Sequence, residues 1–213
     1  LSDLGLYSLA ATFGGLVGTL VFGPFWSFWQ VERFRIKNNA NAKESFRKIY
    51  NALLCIGTIV GLLIVAYSFP IISIMASESF QPAASAVSPL LTVTILTYLG
   101  WYLGFSFLVT GNSQEIAKNT FIFAILLTIF LAILTPTYGF VGSAYAGLAA
   151  NFINLNVVYH RSRRYYDMHI DIKPTNLILV ANILLGYAFN ALFLALDNPI
   201  LYMLVITIIF LVI

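Results

Sequence analysis

Residues 135–152 read TPTYGFVGSAYAGLAANF, a passage of one proline, three glycines and many small side chains set between two long apolar runs. The charge-free stretch that contains it, Asn119 to His160, is long enough for two membrane spans. How this passage is read therefore decides the fold. Pro136 and Gly139 are punctuation residues, so the chain is expected to turn there and return as a separate helix. Beyond the turn, Gly139, Ser143, Gly147 and Asn151 follow at intervals of four, and Gly142, Ala146, Ala150 and Asn154 make a neighbouring row. Residues four apart stack on one side of a helix. Small residues there let helix backbones approach closely, a main source of helix association in lipid.

The rest of the chain has the composition this reading needs. Of 213 residues, 60% are hydrophobic and 9% charged, and mean hydropathy is +0.90. A soluble domain carries roughly a quarter charged residues. The expected class is an all-α polytopic membrane protein. Strands of a closed barrel would be about 10 residues long with strict alternation, whereas these runs are longer and apolar all round. The single cysteine, Cys55, excludes a disulfide framework within the chain, and its apolar setting predicts a small buried hydrophobe.

About seven spans are expected. They are Leu4–Val31, Ile49–Ser77, Phe80–Gln114, two within Asn119–His160, Pro174–Leu196, and one starting at Pro199. Pro199 suits the first turn of a helix. From Asn198 to Ile213 the helix would measure about 24 Å against about 30 Å of hydrocarbon, so the last span is expected to be truncated and the chain to be part of a longer protein. Gly23-Pro24 and Pro70 are expected to interrupt the first and second helices, as hinges or as tolerated kinks.

The charges alternate by loop. Arg33, Arg35, Lys37, Lys43, Arg47 and Lys48 follow the first span, Lys118 follows the third, and Arg161, Arg163, Arg164 and Lys173 follow the fifth, which accounts for all 11 basic residues. The other loops and the N-terminal stub carry only Asp3, Glu78 and Asp197. The positive-inside rule makes the basic side cytoplasmic. Leu1 then lies outside, and a parent chain starting in the cytoplasm has an odd number of spans ahead of it. Phe46, Tyr50 and Leu53 fall at helical spacing beside Lys43, Arg47 and Lys48, an amphipathic turn expected on the inner leaflet.

The expected spans hold no Lys, Arg, Asp or Glu, the usual mark of proton relays and ion sites. His160 and His169 do not make the three or four convergent ligands a metal needs, and no catalytic set is present, so neither an enzyme nor a metal or cofactor site is expected. What remains is uncharged polar groups. Asn151 and Asn154 close the two small-residue rows, and Asn182, Gly186 and Asn190 share one face of the sixth span. Such asparagines either bridge helices or line a wet cavity. Gly14 and Gly18 pair small residues in the first span. Trp26 and Trp29 suit an interfacial belt, while Tyr98, Trp101 and Tyr102 in the third span suit stacking on a sugar.

Three stretches in order resemble one family. GLYSLAATFGGLVGTLVFGPFW (5–26) is similar to the Gly-x-Tyr-Ser-x-Ala helix of polysaccharide flippases, and VERFRIKNNANAKESFRK (31–48) to the basic loop that follows it. PAASAVSPLLTVTILTYLGWYLGFSFLVTGNSQ (82–114) resembles their Ala-rich entry, long helix and Thr-Gly turn at Thr110-Gly111. TPTYGFVGSAYAGLAANF resembles their Pro-x-Tyr-Gly-x-x-Gly-Ala-Ala segment, with Ser143 where alanine is commoner. These flippases belong to the MATE-like multidrug/oligosaccharidyl-lipid/polysaccharide exporter superfamily.

The resemblance implies the C-terminal helical bundle of such a flippase. Residues 1–160 would form helices of its C-terminal lobe, 161–174 a basic cytoplasmic loop and 175–213 two further helices, the last incomplete. The first helix would be the eighth of fourteen, and seven preceding spans agrees with the charge pattern. The implied activity is flipping an undecaprenyl-diphosphate-linked oligosaccharide across a bacterial or archaeal plasma membrane, for O-antigen, lipopolysaccharide or another surface polysaccharide. The implied mechanism is alternating access. Partners would be the lipid-linked oligosaccharide, membrane lipids, a polysaccharide polymerase and glycosyltransferases, with no nucleic acid. The substrate-cavity candidates are Asn151, Asn154, Asn182, Asn190, Tyr98 and Trp101, with Arg33 and Arg35 at the inner mouth for the pyrophosphate. Alternatives are a MATE-type drug or cation antiporter, a lipid II flippase, and a membrane-embedded glycan-assembly enzyme such as a polymerase or acyltransferase.

Overall fold

The computed structural model describes residues 3–196 and 198–212. Leu1, Asp197 and Ile213, on which the expectations about the outer stub, the last outer loop and the truncated end rest, lie outside the described residues. Those described are all-helical. α1 (Asp3–Val17) runs through a π-helical turn, Gly18–Phe22, into α2 (Gly23–Lys37). α3 (Ala42–Met75) leads through a 3-10 turn, Glu78–Ala83, to α4 (Ala84–Val109). α5 (Ser113–Ser162), α6 (Ile172–Leu196) and α7 (Pro199–Val212) follow. Five stretches are long and apolar enough to cross a membrane, with α1 and α2 taken as one and the 3-10 turn joined to α4.

α5 has 50 residues but is not one rod. Straight, it would hold Glu115 and Arg161 about 69 Å apart. In the fold the two form an ion pair, and Arg161 Nη1 donates to Asn119 Oδ1 at 2.6 Å. The halves therefore run antiparallel as a hairpin. The reversal is at Gly139, whose φ of 57° and ψ of −139° only glycine adopts without strain. Across the bend, the Thr135 and Ser143 hydroxyls meet at 3.0 Å, eight residues apart in sequence. Pro136 stays helical. The expected break is thus present, and of the two residues expected to make it the glycine does so, because a proline deforms a helix while the positive φ turns it back on itself.

The other expected breaks are milder. Pro24 cannot donate to Leu20 O, and the chain widens there, with Gly23 N–H reaching back to Gly18 O. Pro70 sits inside an unbroken α3. Neither prolines nor the π turn end a helix.

α4 is apolar on all sides because it is the central helix, packing on α1, α3, α5 and α6. Gly14 and Gly18 let α1 approach it. A Cβ at Gly14 would meet Leu90 Cβ at 2.9 Å, and one at Gly18 would meet Thr94 Cγ2 at 3.2 Å. On the far side of α4, the Gly147–Asn151 row faces Val93 and Thr97. The outward face of α5 is different. Phe121, Ile125, Ile129 and Ile133, at intervals of four, are all exposed.

Contacts gather every described basic loop at one end of the bundle. Tyr102 OH donates to Phe46 O at 2.8 Å, Ser106 Oγ to Tyr166 O at 3.0 Å, and Lys37 Nζ to Val109 O at 3.4 Å. These join the end of α2, the start of α3, the end of α4 and the 163–171 loop. At the other end, Asp3 lies beside Gly139, and the Glu78–Ala83 turn packs against α1.

Three expectations are corrected. Trp29 is fully buried, stacked on Tyr102 at 4.8 Å, so it belongs to the core and not to an interfacial belt. Phe46, Tyr50 and Leu53 are buried as well, because α3 starts early enough to lay that face on the bundle instead of on a leaflet. Cys55 is exposed, on the opposite face of the same helix.

Candidate functional site

At the basic end a cavity of about 490 Å³ opens between α2, α4 and both halves of α5. Its walls follow from helical spacing. Trp26 and Arg33 are seven residues apart on α2 and so share a face. On α4, Gly100 and Gly104 form the floor beside Trp101. A Cβ at Gly104 would have no atom within 4 Å, and one at Gly100 only Leu155 Cδ1, at 4.0 Å. Space exists because these two positions lack side chains. The hairpin contributes Asn119 from its outgoing half and Asn151 and Asn154 from its returning half.

The chemistry of the lining is uneven along its length. Trp26 and Trp101 meet at 5.9 Å with rings inclined by 55°. Asn151 is engaged, accepting from Thr97 Oγ1 at 3.0 Å and donating to Gly147 O at 2.9 Å. Asn154 Oδ1 and Asn119 Nδ2 have no partner among the described residues. About 10 Å along α2 from Trp26, Arg33 is the one cation among the lining residues, and no carboxylate lines the cavity. Its guanidinium lies 5.0 Å from the Phe105 ring centre, and its Nε donates to Gln30 O at 3.2 Å.

Nearby, Glu115 is nearly buried and held by Lys118 Nζ at 2.6 Å and by Arg161. This carboxylate is fully compensated, so it closes the hairpin's ends together without facing the cavity. In the following loop the Asp167 carboxyl lies below the ordinary carboxylate range. Burial alone would raise it, but the His169 N–H at 2.9 Å and the Arg163 guanidinium more than offset that. His169 takes a left-handed φ of 55° in that turn.

The structure distributes the expected site residues over several places. Arg33, Trp101, Asn151 and Asn154 meet at the cavity. Tyr98 stands behind it, stacked on Phe22 at 4.6 Å and touching Trp101 edge-on at 5.0 Å. Tyr102 is in the core. Arg35 points away, its side chain 80% exposed and 3.8 Å from Glu32. Asn182 is buried with both amide atoms unpartnered, away from this cavity. Asn190 lines a separate space of about 330 Å³ at the opposite end, with Glu78 and Gln81.

Sequence reasoning missed Asn119, taken as a span boundary, and the floor glycines Gly100 and Gly104. It also missed a mutual bond between Asn156 and Asn176, at 2.9 Å, that ties α5 to α6. The signal for the glycines was their spacing of four within a helix otherwise rich in large side chains. Among the described residues no three His, Cys, Asp or Glu side chains converge to hold a metal. No family model, curated protein or solved structure matches the chain.

Proposed function

We propose that the protein flips a lipid-linked oligosaccharide, with an undecaprenyl-diphosphate carrier, from the cytoplasmic to the outer leaflet of a bacterial or archaeal plasma membrane. The location is supported by an exterior of exposed Phe and Ile stripes, since large contiguous apolar surfaces are rare on soluble monomers. It is supported too by the collection of basic loops at one end.

The observation that carries the reading is the order of groups in the cavity. A guanidinium without a facing carboxylate sits toward the basic end, and the Trp26–Trp101 pair lies about two turns deeper, with the Asn151 amide beside Thr97 beyond it. A pyrophosphate suits the first, since arginine binds phosphate oxygens in bidentate fashion. Sugar rings and hydroxyls suit the second. Close packing at α1–α4 and α4–α5 through small residues makes these helices one body, which alternating access would rock against a second bundle. A cationic drug would seek a carboxylate, and none lines the space, which favours the anionic cargo over the antiporter alternative.

The test is a deletion strain. Lipid-linked repeat units are expected to accumulate on the inner leaflet, read by their inaccessibility to external glycosidase, with surface polysaccharide lost. Normal surface polysaccharide in that strain would overturn the proposal.

A further inference from the structure

On the opposite side of the bundle from the cavity, α3 and α6 leave a surface groove of about 670 Å³. Its α3 wall is Arg47, Asn51, Cys55 and Ile59, four residues at intervals of four. They form one helix face that passes from charged through polar to apolar over about 18 Å. Ile178 continues the apolar part on α6. We propose that this groove binds one anionic phospholipid, its phosphodiester on Arg47 and an acyl chain along Cys55, Ile59 and Ile178.

The charge balance selects the headgroup. Three charged side chains stand at the mouth. Lys48 is compensated by Glu44 at 2.9 Å. Asp171 caps α6, its Oδ1 accepting the Lys173 N–H at 3.0 Å, where the helix dipole favours a carboxylate. Arg47 is left with no ion pair or hydrogen bond among the described residues. One guanidinium with no ion-pair or hydrogen-bond partner, at the polar end of an apolar groove, matches one phosphodiester without a second, positive charge. Basic sites between helices on the cytoplasmic side are where anionic headgroups bind. The inference rests on the chain lying in a bilayer and is independent of what it transports.

Cys55 lies in the proposed acyl path and reports its occupancy. The protein, purified in a neutral detergent, is labelled with a small maleimide, with Cys55→Ser giving the background. Near saturation, phosphatidylglycerol is expected to slow labelling about tenfold, in proportion to occupancy. Phosphatidylethanolamine and inorganic phosphate are expected to leave the rate unchanged. Arg47→Ala should abolish protection and Arg47→Lys retain part of it; Arg47 and Cys55 are both exposed, so folding is preserved. Equal protection by phosphatidylethanolamine, protection by phosphate alone, protection that survives Arg47→Ala, or no protection at all would each overturn the site. None of these results bears on the deletion phenotype, so failure here is distinguishable from failure of the transport reading.

Discussion

Trp29 and Trp101 belong to one aromatic cluster, linked through Phe25 and Trp26, and have opposite roles. Trp29 is fully buried against Tyr102, Phe46 and Phe105. Its replacement by alanine opens a large hole and is expected to cost about 3–5 kcal/mol, read as a lower melting temperature in detergent. Trp29→Phe should cost far less, because Nε1 has no hydrogen-bond partner to lose. Trp101 is 54% exposed at the cavity, so Trp101→Ala should leave melting within about 0.5 kcal/mol and reduce transport. Gly104→Leu tests the floor of the same space. A side chain there meets no neighbour at its Cβ, so the variant should fold and lose transport, whereas retained transport would remove the cavity from the mechanism. The sequence separates Trp101, a stacking candidate, from Trp29, but it places Trp29 in an interfacial belt where the structure has it in the core. Which face of a helix meets protein is set by the partner helices, not by the residue's own surroundings in the chain.

Elements were more legible than residues. Helix existence follows from runs too long and too apolar for anything else, and the break inside the 119–160 stretch follows from its turn residues. The exact hinge was not legible, because Pro136 and Gly139 both disfavour a straight helix and only the backbone angles choose between them. Gly139→Ala is expected to destabilise by about 1–3 kcal/mol, since the backbone there sits in a region closed to side chains. Gly15→Ala is the contrast. It lies in α1 with nothing within 4 Å of its Cβ, so it should raise stability by up to about 1 kcal/mol through helix propensity. The ends of the hairpin are joined by Glu115 and Arg161, residues that charge counting places in two different loops and that only the antiparallel return brings into contact. Their alanine substitutions should not be additive. The double variant should lose clearly less stability than the two singles together, and strict additivity would mean that the pair does not hold the hairpin closed.

At the scale of the whole molecule, the charge alternation and the contact pattern are independent routes to one topology. The first counts cations along the chain. The second joins Phe46 to Tyr102 and Tyr166 to Ser106 through uncharged groups, and Lys37 to Val109. Both put every basic loop at the same end, and both require the α5 hairpin, since without it Lys118 and Arg161 would stand at opposite ends. In a membrane this becomes a sidedness that labelling can read. In a Cys55→Ser background, Arg47→Cys and Arg163→Cys should react with an impermeant maleimide only from the cytoplasmic side. Gln81→Cys, beside the Glu78–Ala83 turn, should react only from outside. All three positions are exposed, and Arg163 gives up a partly exposed pair with Asp167 and a bond from Nη1 to Tyr159 OH at 3.0 Å, both at the edge of the loop. If Arg47→Cys and Arg163→Cys label from opposite sides, the number of crossings between them is odd. The hairpin would then be a single span, and the cavity built from its two halves would not exist.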